Sequence, residues 1–350
     1  ASAMQEAQVK LENFFRDPNV TRTEFQRGEA ATARALLQRQ TATIAPILKS
    51  DNCVGAEVWF YRPNATDTLS QVSGLSGCAV PTSSEGETIK IDLTTTVLAS
   101  ASAKLKDNRC SNLIEFQEEM MWQQRHIMSE IRYQLNRSKI ITDIAAASQL
   151  NLDTFKPDSW DASTTRILCP AEAFSYDNLN EFRIVAMNNG FTDFFFVSGR
   201  LFNDDKWMAM LNRANEGMRE QMLAWAQREI YFDERDLDQT MTKKTAFAID
   251  ANSYAFWNTY RSTPSPTLVD TANQRYQWSV ADPFLVWRDG GTLRPVVYEF
   301  EMTKTCSARD SHGFAQYTYN MWGRLLGGFE FAPTGVNDET GVLQFGIEAI

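Results

Sequence analysis

Residues 112–145, NLIEFQEEMMWQQRHIMSEIRYQLNRSKIITDIA, form the stretch of sequence that decides the fold. Asn112 and Glu115 have the spacing of a capping box at the start of a helix. Neither proline nor glycine interrupts the apolar positions that follow at three- and four-residue steps, which are Leu113, Phe116, Met120, Met121, Ile127, Met128, Ile131 and Leu135. At 1.5 Å per residue this helix would be about 50 Å long, so we expect a spine along which other elements pack.

Two segments upstream of this helix have too little apolar surface to fold alone. Residues 1–50 are polar and helix-prone, and Pro18 separates two thin apolar stripes, Val9, Leu11, Phe14 and Phe15 in the first, and Ala33, Leu36, Leu37, Ile44, Ile47 and Leu48 in the second. Residues 54–62 and 88–97 have the composition of strands and flank a tip rich in Gly, Ser and Thr, which predicts a long hairpin. Because an isolated hairpin is marginally stable in water, we expect the arm and the hairpin to lie on the rest of the protein or on a neighbour.

The sequence downstream of the spine changes from an α/β pattern to a mainly β pattern. An α/β layer is predicted for residues 166–250, with strands at 166–169, 194–197 and 245–249 and helices at 178–189 and 204–229. A hairpin is predicted where 284–287 and 295–302 flank Asp289-Gly290-Gly291. Gly327 and Gly328 predict a bend before 329–331, and 342–345 is the last predicted strand.

Composition excludes several classes of protein. The 350 residues are 43% hydrophobic and 22% charged, as in ordinary globular proteins, and the formal net charge is -10. An acidic chain of this kind is not expected to be a dedicated nucleic-acid-binding module, although it can still enclose nucleic acid. The sequence contains no apolar run of about 18 residues, so no membrane span is predicted. The five cysteines, Cys53, Cys78, Cys110, Cys169 and Cys306, are scattered and odd in number, which predicts free thiols in a reducing cytoplasm, with an inter-subunit disulfide as the alternative. The start at Ala1 fits removal of an initiator Met or of a longer leader.

Motifs that carry chemistry are scarce. The two histidines, His126 and His312, have no zinc-ligand context, and neither a nucleophile elbow nor a phosphate-binding glycine loop is present. The acidic group Asp233, Glu234, Asp236 and Asp238 could hold Ca²⁺ or Mg²⁺, but we interpret it as a solvated loop.

One enzymatic alternative remains, a Mg²⁺-dependent phosphodiesterase built from Glu299, Glu301 and Lys304. The two residues between Glu301 and Lys304 would place their side chains on opposite faces of a strand, which disfavours a nuclease. We therefore predict no enzyme, no catalytic residue, no cofactor and no metal site.

Aromatic and branched residues on the arm and the hairpin are the predicted contact residues. They lie on elements that cannot bury them alone, and aromatic side chains in that situation often become anchors between subunits. The residues predicted to make inter-subunit contacts are Phe14, Phe15, Trp59, Phe60, Tyr61, Ile89 and Ile91.

The order of these elements resembles the major capsid proteins of tailed bacteriophages with the Hong-Kong-ninety-seven-type fold. Arm, hairpin loop, spine helix, α/β segment and returning β segment follow one another over nearly the whole chain, at 1–50, 54–99, 112–145, 166–280 and 282–350. Three strings resemble capsid subunits of Bacteroidetes-type phages: 196–203 (FVSGRLFN), 245–250 (TAFAID) with a short aromatic helix expected through Trp257, and 340–345 (TGVLQF).

The resemblance implies an α+β fold and a structural role. Its parts would be an N-terminal arm (1–50), an extended hairpin loop (51–100), a peripheral domain with the spine helix (101–165), an α/β axial domain (166–281) and a returning β-rich segment (282–350). It implies self-assembly as pentamers and hexamers into an icosahedral shell in the host cytoplasm, enclosing DNA without sequence-specific binding and without a membrane. Portal, scaffolding and decoration proteins are the further partners implied. An encapsulin-like nanocompartment shell is the alternative with the same fold, and a portal or tail component is the alternative virion part.

Overall fold

A computed structural model describes 6, 9–11, 13–14, 17, 30–41, 44–48, 54–62, 87–92, 97–99, 105–106, 113–148, 160–161, 166–169, 176–188, 191, 193–199, 230–233, 236–237, 245–309, 315–331 and 341–347. The fold is α+β, as the sequence predicts. The predicted helix 204–229 and the hairpin tip lie outside the described residues, as do Asn112 and His312.

The described helices are α1 (Ala31–Arg39), α2 (Leu113–Tyr133), α3 (Thr142–Ser148) and α4 (Tyr176–Asn188), and a π-helical segment (Gln134–Ile141) joins α2 to α3. The described strands are β1 (Ile44–Leu48), β2 (Val54–Arg62), β3 (Glu87–Asp92), β4 (Val97–Ala99), β5 (Leu105–Lys106), β6 (Trp160–Asp161), β7 (Arg166–Cys169), β8 (Phe194–Ser198), β9 (Ile230–Phe232), β10 (Thr245–Asp250), β11 (Tyr254–Thr259), β12 (Thr267–Asp270), β13 (Arg275–Asp289), β14 (Thr292–Arg309), β15 (Ala315–Phe331) and β16 (Val342–Ile347).

The predicted spine is a continuous helical segment from Leu113 to Ser148, which we call the spine helix. Its apolar stripe is buried as expected, with Met120, Met121, Ile127, Met128, Ile131 and Leu135 in the core. The π-helical segment was not predicted, because the apolar spacing there fits an α-helix as well. Its buried residues are Leu135, Asn136, Ile140 and Ile141, so the segment keeps its inner side in the core.

A seven-stranded antiparallel sheet packs against this helix, with the order β11-β15-β14-β13-β12, and β4 and β5 pair with β15. Its inner face is aromatic, and the Trp278 and Phe300 rings stack with centroids 5.7 Å apart. Helix and sheet lie in close contact at Gly323, where a Cβ atom would lie 2.3 Å from Cγ2 of Ile127. The missing side chain of Gly323 therefore lets the spine helix lie directly on β15.

Two predictions for this sheet are wrong. The expected short helix through Trp257 is instead strand β11, because residues 254–259 pair with Phe331–Leu326 of β15 and five of the six are buried. The expected bend at Gly327 and Gly328 is absent, because both residues lie inside the continuous strand β15. The hairpin at Asp289-Gly290-Gly291 is confirmed, with Asp289 opposite Thr292.

A buried ion pair fastens the spine helix to this sheet. Nε of Arg132 lies 3.0 Å from Oδ2 of Asp282, and the two side chains are 3% and 0% exposed. The Tyr298 hydroxyl donates to the same carboxylate (2.7 Å), and so does the backbone N–H of Phe284 (2.8 Å). Asp282 lies within the register shift between Ala281 and Val286, so the irregularity in β13 turns a carboxylate towards the helix.

The second sheet has six strands in the order β6-β7-β16-β10-β8-β9. Its strand pairs are antiparallel except for β7 with β16 and β8 with β9, which are parallel. Helix α4 packs on it through Phe182, whose ring centroid lies 4.4 Å from that of Phe345. The predicted strands at 166–169, 194–197, 245–249 and 342–345 are confirmed here, and α4 confirms the first predicted helix.

The third sheet is formed by the end of the arm and the hairpin, in the order β1-β2-β3. The pairing of β2 with β3 confirms the hairpin. The arm is helix-prone by its sequence, but helix α1 ends at Arg39, and Ile44–Leu48, the rest of the second apolar stripe, is a strand. Pro46 accounts for the difference, because proline is tolerated in an edge strand and disrupts a helix interior.

Candidate assembly surfaces and buried polar clusters

The three-stranded sheet, β1-β2-β3, has one face built from apolar positions. Directly opposed residues share a face, and the register opposes Ile44 to Val58, Val58 to Ile91 and Phe60 to Ile89. With the period of two along each strand, nine apolar positions lie on this face, which are Ile44, Pro46, Leu48, Val54, Ala56, Val58, Phe60, Ile89 and Ile91, and the opposed pair Arg62 and Glu87 lies at its end. The other face carries Ala45, Ile47, Gly55, Glu57, Trp59, Tyr61, Thr88, Lys90 and Asp92.

This sheet is joined loosely to the remainder of the described chain. Its principal contact beyond its own strands is between β2 and β11, whereas the spine helix and the seven-stranded sheet contact each other along several strands. Of the predicted contact residues, Trp59, Phe60, Tyr61, Ile89 and Ile91 are strand positions in β2 and β3. Their role between subunits stays a prediction.

Part of the arm packs along the beginning of the spine helix. The Gln117 amide donates to the Glu6 carboxylate, and Nζ of Lys10 lies 3.8 Å from Oε1 of Glu118. Phe14, one of the predicted contact residues, is half-buried against Trp122, with ring centroids 5.6 Å apart. The guanidinium of Arg125 lies 4.7 Å from the centroid of the Phe14 ring and 5.1 Å from that of Trp122. Phe15 lies outside the described residues.

Asp233 and Asp236 are buried, each 1% exposed, so the prediction of a solvated acidic loop is wrong for these two residues, and Glu234 and Asp238 lie outside the described residues. Oδ2 of Asp233 accepts hydrogen bonds from the backbone N–H (3.0 Å) and the hydroxyl (2.6 Å) of Thr32. The Asn136 amide donates to Asp233 (3.0 Å) and to Asp236 (2.6 Å). Asn136 in turn accepts from the backbone N–H of Ala33 (2.8 Å).

This cluster caps helix α1 from outside the helix. The first N–H groups of a helix have no partner within it, and the residue before α1, Ala30, makes no side-chain cap bond. Asp233 and Asn136 supply the missing acceptors for Thr32 and Ala33, and a carboxylate at this end also fits the helix dipole. Asp233 and Asn136 thus form a structural cap that ties the arm to the spine helix. No group of three or more His, Cys, Asp or Glu suited to a metal ion occurs in the described part of the chain.

We expect Asp233→Ala to destabilise the protein by about 3 kcal/mol, because it leaves the buried donors of Thr32 and Asn136 without their acceptor. Urea denaturation followed by circular dichroism measures the loss. Trypsin cleavage after Arg34 and Arg39 should also become faster, because α1 is no longer capped. Asp233→Asn, which keeps one carbonyl acceptor, should lie between the wild type and Asp233→Ala. Equal stability of the three proteins would contradict the capping role.

Glu299 is buried beneath the segment that leads from β11 to β12. Its Oε1 accepts from the backbone N–H groups of Arg261 and Ser262, the latter at 2.9 Å. Its Oε2 accepts from Nε (2.9 Å) and Nη2 (2.7 Å) of Arg324 on the neighbouring strand. Burial raises the pKa of Glu299, but the Arg261 N–H, the Arg324 guanidinium and the Ser262 N–H outweigh it and leave the pKa below the usual value.

A lowered pKa makes Glu299 a source of stability that depends on pH. The stabilisation of the folded state by the Glu299 carboxylate is fully present above the ordinary carboxyl pKa of 4.5. It is lost as the pH falls through the lower pKa that Glu299 has in the folded state. We expect Glu299→Gln to lower the free energy of unfolding by about 2 kcal/mol at pH 7. The difference from the wild type should shrink below pH 4.5. Thermal melts from pH 7 down to pH 3 measure it, and a difference that stays constant over this range would rule out the charge as its source.

The three side chains considered for a nuclease site, Glu299, Glu301 and Lys304, each contact other residues of the sheet. Glu299 is committed to Arg324, and Glu301 accepts from the Gln277 amide (2.8 Å). Nζ of Lys304 lies 5.5 Å from the centroid of the Tyr319 ring. His126 lies exposed on the spine helix. These side chains do not form a common pocket for Mg²⁺ and a phosphodiester in the described structure.

The described helices include none long and apolar enough to cross a membrane.

No protein-family model matches the sequence, and no curated protein matches it. The fold is similar to solved structures from phages. One is from Mycobacterium phage Bobi, with 9% identity, a TM-score of 0.39 and coverage of 91% of either chain. Another is a capsid structure of the cyanophage P-SCSP1u, with 12% identity, a TM-score of 0.36 and coverage of 89% of this chain and 88% of that chain. A third is from Mycobacterium phage Adephagia, with 10% identity, a TM-score of 0.33 and coverage of 91% and 90%. At these TM-scores the similarities identify neither the family nor the function of the chain.

Proposed function

We propose that this chain is a major capsid protein that self-assembles into an icosahedral shell enclosing a phage genome. The observation that carries the proposal is the three-stranded sheet β1-β2-β3. One of its faces is apolar at nine positions from Ile44 to Ile91, and its principal contact with the rest of the described chain is limited to β11. An apolar sheet face of this kind is stable in water only when something covers it.

The order of elements along the chain supports the same function. An arm with α1, a hairpin, a long spine helix, a mixed sheet and a set of long antiparallel strands follow one another. This is the order on which the resemblance to tailed-phage capsid proteins rests. On this proposal the arm (1–50) and the hairpin loop (51–100) reach neighbouring subunits, the segment 101–165 with the spine helix is peripheral, 166–281 is the axial domain, and 282–350 returns as β structure.

Repetition of one heterologous contact explains how such a chain would close a shell. When a surface of one copy covers a different surface of the next, a rotation that closes gives rings, here pentamers and hexamers. The predicted contact residues Phe14, Phe15, Trp59, Phe60, Tyr61, Ile89 and Ile91 would lie in these contacts. The net charge of -10 fits a shell that encloses DNA without binding its sequence.

The test is the assembly state of the purified chain, measured by multi-angle light scattering and negative-stain microscopy. We expect hollow shells, or pentameric and hexameric rings. Val58→Glu should abolish them while the circular dichroism spectrum stays that of the wild type, because it puts a charge on the apolar face of β1-β2-β3. Arg288→Glu, at an exposed position of β13 near the turn to β14, is the charge-changing control and should still assemble.

Two outcomes would contradict the proposal. A chain that remains monomeric or dimeric and nicks DNA with Mg²⁺, with activity lost in Glu301→Ala, would be the nuclease alternative. Shells isolated from cells with protein cargo and no DNA would identify a nanocompartment instead of a virion. Shells that contain DNA support the capsid.

A further inference from the structure

The two large sheets are joined by a short crossing of the chain. Strand β10 of the six-stranded sheet ends at Asp250, and β11 of the seven-stranded sheet begins at Tyr254. The chain therefore passes from one sheet to the other at Ala251, Asn252 and Ser253. Because a change of angle between two rigid elements is absorbed by a few residues at their ends, this crossing has the form of a hinge.

The end of a second connection between the sheets meets this crossing. The chain leaves the seven-stranded sheet at the end of β15 and enters the six-stranded sheet at β16, directly after Gly341. The carbonyl of Gly341 accepts from the N–H of Asp250 (2.9 Å), and a Cβ atom at Gly341 would lie 2.1 Å from Cβ of Ser253. Contacts that lie so close together do not by themselves fix the angle between the sheets, so contacts elsewhere must set it.

Helix α1 makes such contacts, because it bridges the two sheets. Towards the six-stranded sheet, Nε of Arg39 donates to the Tyr231 hydroxyl (3.0 Å), and its guanidinium lies 5.3 Å from the centroid of the Phe195 ring. Towards the seven-stranded sheet, the Tyr254 hydroxyl donates to the carbonyl of Leu36 (2.8 Å), and α1 also packs along β13.

Gln40, the residue after α1, clamps the end of the helix to the seven-stranded sheet. It is 1% exposed. Its amide nitrogen donates to the carbonyls of Phe256 (3.1 Å) and Arg288, and its amide oxygen accepts from the N–H of Phe256 (2.7 Å). Because a buried amide that loses such partners is costly, the end of α1 is held in one position on β11 and β13.

Thr41, the next residue, contacts the crossing itself. Its hydroxyl lies 3.3 Å from the carbonyl oxygen of Ala251 and 2.5 Å from Oδ1 of Asn252. At the other end of α1, Asp233 follows β9 of the six-stranded sheet and accepts from Thr32. Polar contacts therefore hold both ends of α1, and the segment after the helix spans the crossing.

We propose that α1 with Gln40 and Thr41 is a latch across a hinge at Ala251–Ser253. The docked latch holds the two sheets at one angle, and its release lets that angle change. For the role of the latch in a shell, the inference rests on the proposed function: copies that share one angle between their sheets assemble into shells of one size.

The first experiment measures the angle as a distance between two nitroxide labels, by pulsed electron–electron resonance. The labels replace Arg183, exposed on α4, and Leu293, which is 55% exposed on β14. A genetically encoded ketone amino acid carries each label, so the native cysteines stay. An excess of unlabelled chains removes distances between copies, so the measurement is valid for single chains and for assemblies.

We expect Gln40→Met to widen the distribution of distances about twofold or more, because it keeps the length of the side chain and removes the clamp. Gln124→Met is the matched control and should leave the distribution unchanged. Gln124 is also buried, at 0% exposed, but its amide makes no hydrogen bond within the described part of the chain.

Thr41→Val is a second and milder variant, because it replaces an exposed hydroxyl by a methyl group of equal size. It should widen the distribution in the same direction, so the inference can be tested even if Gln40→Met does not fold. Equal distributions for the wild type and the latch variants that fold would overturn the inference.

The second experiment compares the diameters of assembled shells by negative-stain microscopy. Wild type and Gln124→Met should form shells of one diameter, and Gln40→Met should form shells with a broader spread. Equal spreads would overturn the link between the latch and the shell. A wild-type chain that never assembles would overturn the proposed function, whereas the distance measurement would still decide whether α1 is a latch.

Discussion

Arg132→Met should destabilise the protein by about 3–5 kcal/mol, because it leaves the carboxylate of Asp282 buried without its cation. The two side chains are 3% and 0% exposed, so water cannot replace the lost partner. The guanidinium also lies 5.1 Å from the centroid of the Phe284 ring, next to the irregular part of β13. The measurement is urea denaturation at pH 7.

Two comparisons isolate the ion pair from a general loss of packing. Arg125→Met makes the same substitution on the same helix, but Arg125 lies over Phe14 and Trp122 at a half-buried position, and we expect a loss below about 1 kcal/mol. Arg132→Met combined with Asp282→Asn should cost less than the sum of the two single changes, because the pair interacts directly. Equal losses for Arg132→Met and Arg125→Met would show that the pair does not hold the spine helix on the sheet.

Gly327→Ala should destabilise the protein by about 4 kcal/mol, through backbone strain and a steric clash together. Gly327 has φ +151°, a conformation that side-chain-bearing residues rarely adopt. An added Cβ would lie 2.0 Å from the carbonyl oxygen of Trp257 and 3.0 Å from Cα of Asn258. Both are backbone atoms of β11 and cannot rotate away. Thermal and urea denaturation measure the loss.

Two other glycines provide the controls for Gly327→Ala. Gly290 has φ +53° and open space around it, so Gly290→Ala tests the strain without a clash and should cost about 1 kcal/mol. At Gly323 the obstacle is the side chain of Ile127, so the double change Gly323→Ala with Ile127→Ala should cost less than the two single changes added together. A loss at Gly327 no larger than at Gly290 would mean that β11 moves away without penalty.

The apolar face of β1-β2-β3 offers buried area, which is expected to supply most of the free energy of association in the proposed shell. Val58→Glu should therefore abolish assembly.

The elements with a local signal could be predicted from the sequence. The spine helix follows from apolar spacing over some thirty residues, and the strands at 54–62, 166–169 and 245–249 follow from short apolar or alternating runs. The Asp289-Gly290-Gly291 turn follows from the two glycines, both of which have positive φ. Each of these signals is complete within the element itself, so no distant residue is needed to interpret it.

Polar residues within the apolar stripe of the spine helix were the sequence signal that could have predicted buried polar contacts of this helix. Gln124, Met128, Arg132, Asn136 and Ile140 are four residues apart, and all five are at most 2% exposed. Polar members in an apolar row predict partners in the core, since buried polar groups are usually hydrogen-bonded or paired. Arg132 and Asn136 have such partners, whereas the Gln124 amide makes no hydrogen bond within the described part of the chain. The sequence could not name those partners. Asp282 and Asp233 are 150 and 97 positions from Arg132 and Asn136 respectively.

By itself, the sequence determined that this is an α+β protein with a long amphipathic spine, a hairpin and no recognisable catalytic motif. Only the tertiary structure decided that Tyr254–Thr259 is a strand, that Asp233 and Asn136 cap a distant helix, and that Arg132 pairs with Asp282 in the core. The physical reason is the range of the interactions. Helix and turn signals act over a few residues, whereas strand pairing, burial of charge and exposure of an edge depend on segments that meet only after the chain has folded.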